Sequence, residues 1–318
     1  MSTNELKDEM KVFSLSSNRS LASEIANHIG GELGKCSIKT FSDGEIQINI
    51  EESVRGYDTY IIQSTDDPSD QHIMELLIML DAFKRASAKT VNVVIPYYGY
   101  ARQDRKTKSR EPITAKLIAD LIEKAGASRV ISMDLHATQT QGFFNIPVDH
   151  LNGIPILASY FSDKKLEDVV VVAPDHGSVK RARQFADRIH APIAILDRRG
   201  PRDVEHSELS VVGDIKNKTA ILIDDIIDTG RRVSTGAAAL VANGAKDVYA
   251  TCTHPVLSGI ATENIMRSPI KELVVTNTIV IPEDKWTDKI TQLSTAPLFS
   301  DAIKRVHNEE PVSPLFNY

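Results

Sequence analysis

Sulfur and aromatic chemistry are scarce in this chain of 318 residues, and each shortage closes off a class of protein. Its two cysteines, Cys36 and Cys252, stand far apart. They provide neither a disulfide framework nor a cysteine-type zinc site, and a reducing compartment suits them best. Aromatic residues reach only 6% and do not cluster with basic ones, unlike a surface built to stack RNA bases. No apolar run approaches the roughly 18 residues of a membrane span. The opening MSTNELKDEM is polar and acidic, without an apolar stretch, so we expect no secretory signal and a cytoplasmic location. Basic residues are outnumbered, 37 against 43 acidic, and the net charge of −6 argues against bulk binding to nucleic acid or acidic membranes. Small anionic ligands need only a local basic patch and remain open. Familiar catalytic motifs are also missing: there is no GxGxxG opening a helix, no HExxH and no GxSxG. A Walker A loop fails around Gly34-Lys35, because its first glycine position is Ile29.

What the chain has is ordinary globular composition, 42% hydrophobic and 25% charged, in a length that suits two domains. Short Val/Ile-rich runs at 91–95, 130–133, 169–172, 220–223, 248–251 and 273–275 alternate with helical patterns. Continuous apolar runs of this kind suit strands buried on both faces of a parallel sheet. The stretch 112–124 has Pro near its start and Gly126 after its end, and 230–243 closes on Gly244, so both predict helices. The alternation indicates a parallel α/β fold. An internal echo supports two similar halves joined around 148–165. Gly126-Ala127 leads through an apolar run to His136, and Gly244-Ala245 leads through another to His254, ten residues on in each case. Ligands of open α/β sheets gather at the carboxyl ends of the strands, so the polar residues after each run are the candidates.

The clearest such segment is Ile221-Leu222-Ile223-Asp224-Asp225-Ile226-Ile227-Asp228-Thr229-Gly230. The strand delivers two acids that can accept hydrogen bonds from vicinal hydroxyls, as on a ribose. The Thr-Gly turn then offers backbone N–H groups to a phosphate at a helix start. A second segment, from Asp134-Leu135-His136 to Asn145-Ile146-Pro147-Val148-Asp149, puts an acid and an imidazole at a strand end, suited to a hydrated divalent ion on phosphates. A third, Pro96-Tyr97-Tyr98-Gly99-Tyr100-Ala101-Arg102-Gln103, begins a stretch with five basic residues between Arg102 and Arg110, which suits a triphosphate. Pro174-Asp175-His176-Gly177 follows another strand.

The diacid segment resembles the ribose-phosphate-binding motif shared by phosphoribosyltransferases and phosphoribosyl pyrophosphate synthetases. The segment from Asp134 to Asp149 resembles the signature of the ribose-phosphate pyrophosphokinase family, and the likeness runs from Phe41 to Ser313-Pro314-Leu315-Phe316. The resemblance implies two similar phosphoribosyltransferase-like α/β domains with parallel sheets and an active site in the cleft between them. By that resemblance one domain, 1–150, binds ATP and the other, 151–299, binds ribose 5-phosphate; the closing segment 300–318, with its helix pattern from Ala302, has either half to pack on, the first among them. It implies Arg102 and Gln103 on ATP, with Phe41, Asp43, Gly44 and Glu45 at the adenine. Asp224, Asp225, Asp228, Thr229, Gly230, Arg231 and Arg232 hold the sugar phosphate, and His136 and Asp175 hold Mg²⁺. It further implies transfer of the diphosphoryl group of Mg-ATP to ribose 5-phosphate, and a homo-oligomer, a hexamer, in which the Phe41 loop reaches a neighbour's site.

Three departures lie near the transfer site. The family's Asp-Lys-Arg-Arg-Pro loop is Asp197-Arg198-Arg199-Gly200-Pro201, so Arg198 replaces a catalytic lysine and Gly200 an arginine. No lysine occurs between Lys180 and Lys216 to substitute. The phosphate loop, usually Asp-Thr-Ala-Gly-Thr, reads Asp228-Thr229-Gly230-Arg231-Arg232, and Ser178 stands where the family has a second glycine. The chain therefore reads as a divergent paralogue, with two alternatives beside an active synthetase. One is a weakly active or inactive regulatory subunit, in a hetero-oligomer with a catalytic paralogue. The other is a phosphoribosyltransferase-like enzyme or regulator.

Overall fold

The structure, a computed structural model, describes residues 10–198 and 209–316. They form two compact α/β units. The first extends to Asn152 and also takes Thr278–Val280 and the chain from Ser294 onward. Its elements are β1 (Met10–Ser14), α1 (Arg19–Ile29), β2 (Cys36–Thr40), β3 (Ile46–Ile50), β4 (Asp58–Ile62), α2 (Ser69–Arg85), β5 (Thr90–Ile95), α3 (Thr114–Ala125), β6 (Arg129–Met133) and β7 (Val148–Leu151). Five strands form a parallel sheet in the order β1-β4-β5-β6-β7, while β2 and β3 pair as a separate antiparallel hairpin.

Side chains alternate across a strand, and here both faces are covered. Phe13, Ile61 and Val93 pack with α2 and α3 residues such as Leu76, Phe83 and Ile118. Their neighbours Val12, Tyr60, Ile62 and Val94 pack on the opposite side with Leu21 and Ile25 of α1. That second layer is completed by the last helix, whose Phe299, Ala302 and Ile303 are fully buried.

The second unit begins at Gly153. It contains α4 (Ile154–Asp163), β8 (Val169–Ala173), α5 (Val179–Arg188), β9 (Ile193–Arg198), β10 (Leu209–Val212), β11 (Thr219–Ile227), α6 (Arg231–Ala242), β12 (Asp247–Pro255), α7 (Ala261–Arg267), β13 (Ile270–Thr276) and β14 (Ile290–Leu293). The seven strands order as β10-β9-β8-β11-β12-β13-β14, parallel except for β10 against β9. Here too Val170, Val172 and Leu222 face α6, whereas Val171, Ile221 and Ile223 face α4 and α5. The chain then returns to the first unit as α8 (Ala296–His307).

The echo in the sequence is an echo in structure. After α3, Ala127 N–H donates to Ile122 O at 3.3 Å; after α6, Ala245 N–H donates to Leu240 O at 3.0 Å. Gly126 and Gly244 both take positive φ, 127° and 92°, in a turn only glycine enters readily. The expected strands are all present, but several run longer. β11 continues through Asp224 and Asp225 to Ile227, and β12 through His254 to Pro255, in parallel register with Asp224 opposite Cys252.

Candidate functional site

The carboxyl ends of β8 and β11, neighbours in the sheet, bring the second unit's candidate residues together. Beyond β8 the chain turns through Asp175, whose Oδ1 accepts from Ser178 N–H at 2.9 Å and Ser178 Oγ–H at 3.0 Å. Ser178 Oγ also lies 3.3 Å from Asp224 Oδ1, so one hydroxyl spans the two acids. Asp225 is buried, and Asp224 nearly so. Arg181, on α5, reaches both: its Nη1 is 3.3 Å from Asp225 Oδ1 and 3.6 Å from Asp224 Oδ1. Burial, and then the adjacent charge of Asp225, push the Asp224 carboxyl well above the ordinary carboxylate range, with Arg181 opposing the shift. Removing Arg181 takes a cation away from the buried pair and is expected to destabilise it.

The segment Asp228-Thr229-Gly230 forms the turn into α6. Gly230 has φ 69°, and a Cβ there falls 2.8 Å from Ala261 O, so both conformation and space require glycine. The turn is pinned from the far side: Ser258 Oγ–H donates to Asp228 Oδ1, and Asn264 Nδ2–H donates to Thr229 O at 2.9 Å. It delivers Arg231 and Arg232 as the first two residues of the helix, both exposed. Arg232 turns back on the acids, pairing through Nη2 with Asp175 Oδ2 and placing Nη1 3.4 Å from Asp224 Oδ2. His176 Nε2 lies 3.1 Å from Asp197 Oδ1 on β9. The Arg198 side chain and Gly200 lie outside the described residues.

In the first unit, β5 and β6 are adjacent and their carboxyl ends carry the other motifs. Tyr98 is buried with its hydroxyl donating to Ala115 O at 2.9 Å. Gly99 approaches Thr65 so closely that a Cβ falls 2.1 Å from its carbonyl oxygen. These contacts fix the start of the basic stretch and leave Arg102, Gln103, Arg105, Lys106, Lys108 and Arg110 exposed. Gln103 holds the head of α3, accepting from Thr114 Oγ–H at 2.6 Å through Oε1. After β6, His136 is exposed, and Gln139 Nε2 reaches Asp104 Oδ2 at 3.5 Å, linking the two motifs. Phe41, Asp43, Gly44 and Glu45 lie on a different element, the exposed tip of the β2–β3 hairpin. Its turn is closed by Phe41 N–H to Glu45 O at 2.8 Å and by Gly44 at φ 93°.

His136 and Asp175, the expected metal ligands, belong to different units. Among the described residues no group of three or more His, Cys, Asp or Glu side chains is placed to hold a metal ion. Asp175 offers the hard oxygen donor magnesium takes, and such ions keep most of their other positions for water and substrate phosphates. Sequence reading passed over Arg181, Ser258, Asn264 and His150, whose Nε2 accepts from Leu135 N–H at 2.9 Å. Only Ser258, three residues beyond β12, carried a positional signal.

Comparison with known proteins covers the same ground. Residues 10–126 match the N-terminal domain of ribose phosphate pyrophosphokinase, and 201–317 match a phosphoribosyl synthetase-associated domain. A ribose-phosphate pyrophosphokinase of Bacillus cereus is 64% identical over 317 residues, covering 100% of both chains. One from Bacillus subtilis is 65% identical over 308 residues, 97% of each. The crystal structure of phosphoribosylpyrophosphate synthetase from Mycobacterium smegmatis superposes with a TM-score of 0.89 at 41% identity, covering 95% of this chain and 99% of that one.

Proposed function

The chain belongs to the ribose-phosphate pyrophosphokinase family, and on that premise we propose how its residues serve the family's reaction. The C1 hydroxyl of ribose 5-phosphate attacks the β-phosphorus of ATP, and the bond from that phosphorus to the oxygen of AMP breaks. The diphosphoryl group passes to the sugar, giving 5-phosphoribosyl 1-diphosphate and AMP. Positioning and charge neutralisation do most of the work in such a transfer.

The observation that carries the assignment of roles is the turn from β11 into α6. Asp224 accepts the sugar hydroxyls, while buried Asp225, held by Arg181, fixes its orientation. The N–H groups at the start of α6, with Asp228, Thr229, Gly230, Arg231 and Arg232, receive the 5-phosphate. In the first unit Arg102, with Gln103 beside it, takes the triphosphate. Phe41, Asp43, Gly44 and Glu45 take the adenine. Asp175 in the second unit and His136 in the first would each offer a ligand to magnesium, which would supply positive charge at the phosphate oxygens. The first unit is thus the ATP domain and the second the sugar-phosphate domain. Phosphorus NMR of the protein with ATP, ribose 5-phosphate and Mg²⁺ tests the whole reading. AMP and a new pyrophosphoryl ester are expected; intact ATP after long incubation overturns it for this chain acting alone.

A second reading follows from Arg232, whose ion pairs lie on the acids of the site. Together with Arg198 and Gly200 it supports a divergent paralogue of low turnover, serving as the regulatory subunit of a hetero-oligomer. The match to pyrophosphokinases over the whole chain favours either form of synthetase over a phosphoribosyltransferase. Self-association, a hexamer by the family resemblance, is part of the proposal; Ile113 at the N-cap of α3, with Leu117 and Leu121 within it, are exposed at four-residue spacing and offer an apolar face for it. Light scattering at micromolar protein should give a species larger than a monomer; a strict monomer with full nucleotide affinity removes the proposal. We place the protein in the cytoplasm, consistent with Cys36 and Cys252 as free thiols. No helix among the described residues is long and apolar enough to cross a membrane.

A further inference from the structure

We propose that Arg232 makes sugar-phosphate binding and cation binding interdependent: its guanidinium occupies the Asp175 carboxylate that a divalent cation needs, together with the Asp224 carboxylate beside it, and vacates both when a phosphate arrives at the start of α6. The proposal rests on the family reading for what binds, and on the ion pairs for how.

The two acids come from adjacent strand ends and are bracketed on both sides. Their Oδ1 atoms are spanned by the Ser178 hydroxyl, at 3.0 and 3.3 Å. Their Oδ2 atoms share the Arg232 guanidinium. The Asp175 oxygen not engaged by Ser178 is therefore the one already paired with a guanidinium. Guanidinium stays ionised at every relevant pH, so it leaves only by moving. Magnesium demands close oxygen contacts in near-octahedral geometry and gives up its water reluctantly, so it does not share Asp175 Oδ2 with a guanidinium.

Arg232 also stands at the second position of α6, beside Arg231, where the helix dipole disfavours positive charge. Asp175 and Asp224 offset that cost without ligand, and a phosphate at the helix start offsets it with ligand. The side chain is about half exposed, 51%, and so has room to swing between the two. Two oxygens of a tetrahedral phosphate match the guanidinium fork in a bidentate pair, which the N–H groups of the turn reinforce. Sugar phosphate thus draws Arg232 off the acids and readies Asp175 for the ion. A threonine or glutamine at this position, without charge, cannot hold the acids closed.

The test uses Mn²⁺ as the probe, with free ion measured by electron spin resonance, no ATP present, and ribose 5-phosphate added or omitted. The native chain, Arg232→Gln, Asp175→Asn and the double substitution are compared, with circular dichroism checking that each is folded. Arg232→Gln should bind Mn²⁺ at least about tenfold more tightly than the native chain, within the usual range of coupling between sites. Asp175→Asn in that background should abolish the gain. Ribose 5-phosphate should tighten Mn²⁺ binding to the native chain at least about fivefold and leave Arg232→Gln unchanged. Equal Mn²⁺ affinity of native and Arg232→Gln overturns the inference. So does equal tightening of both by the sugar phosphate, or a gain that survives Asp175→Asn. Product formation in the phosphorus NMR experiment separates the two levels. Product with failed Mn²⁺ arms sinks this inference alone, and the reverse result sinks the reaction reading alone.

Discussion

Two carboxylates at consecutive positions of one buried strand repel each other, and the chain answers with cations from two different helices. Arg181 enters from α5 and Arg232 from α6. The acids were legible in the sequence because they interrupt an apolar run. Their partners were not, since an arginine inside Val179–Arg188 looks like any other charge on an exposed helix face. On the nucleotide side the proposal gives Arg102 a charge-assisted contact. Arg102→Ala should therefore weaken Mg-ATP binding by about 1.5–3 kcal/mol in titration calorimetry. Unchanged affinity would remove the basic stretch from the site. On the proposed reading of 197–201 as the transfer loop, a lysine concentrates its charge on one ammonium whereas an arginine spreads it over a plane, and a glycine in place of an arginine brings no charge. Arg198→Lys combined with Gly200→Arg should raise turnover at least about tenfold, or ~1.4 kcal/mol of barrier. A native chain with ordinary kinase turnover, and no gain from the double change, contradicts the reading of that loop.

At the scale of elements, β11 and β12 ended later than hydrophobicity suggested, and for one physical reason. Backbone pairing continues after side chains become polar, as in β11, where Ile226 still pairs with His254 of β12. β1, β2, β3, β4, β7, β9, β10 and β14 were not read from sequence at all; β2, for example, is Cys-Ser-Ile-Lys-Thr, with no apolar run to mark it. Contacts between elements were equally invisible, and Glu272 illustrates what they do. From β13 it accepts Tyr160 Oη–H of α4 at 2.5 Å and Thr291 Oγ–H of β14 at 2.7 Å, and it pairs with Lys164 Nζ at 2.6 Å. Burial works against its charge, but the hydrogen bonds from Lys164, Tyr160 and Thr291 prevail and hold it below the ordinary value of 4.5. A depressed carboxylate stabilises the fold above its unfolded value, and loses that contribution as pH falls through the folded one. The native chain should thus exceed Glu272→Gln in stability at neutral pH, with the gap closing steadily below pH 4.5. Urea unfolding across that range measures it, and a gap independent of pH would show that the charge is not what matters.

The whole molecule is two α/β units of similar plan on one chain, and its ends are not where the sequence order of motifs suggests. The last helix follows the second unit yet completes the first: Ser300 Oγ–H donates to Ile25 O at 3.3 Å, Lys304 Nζ to His28 O at 2.7 Å, and Phe299 is fully buried between β-sheet and α1 residues. Its amphipathic pattern announced a packed helix, but periodicity carries no address and cannot say which sheet receives it. This arrangement has a measurable consequence, because the chain's single tryptophan, Trp286, belongs to the second unit. Fluorescence therefore follows the second unit, while far-ultraviolet circular dichroism follows both. Phe299→Ala empties a fully buried aromatic site in the first unit and should cost about 3–5 kcal/mol there. With protein concentration fixed, so that assembly does not shift the midpoints, part of the dichroism should be lost at lower urea than in the native chain. The tryptophan transition should keep its native midpoint, so that the two probes no longer coincide, the standard sign that one transition has become two. Coincident probes, both displaced by the substitution, would mean instead that the units unfold as one and that α8 stabilises the chain as a whole.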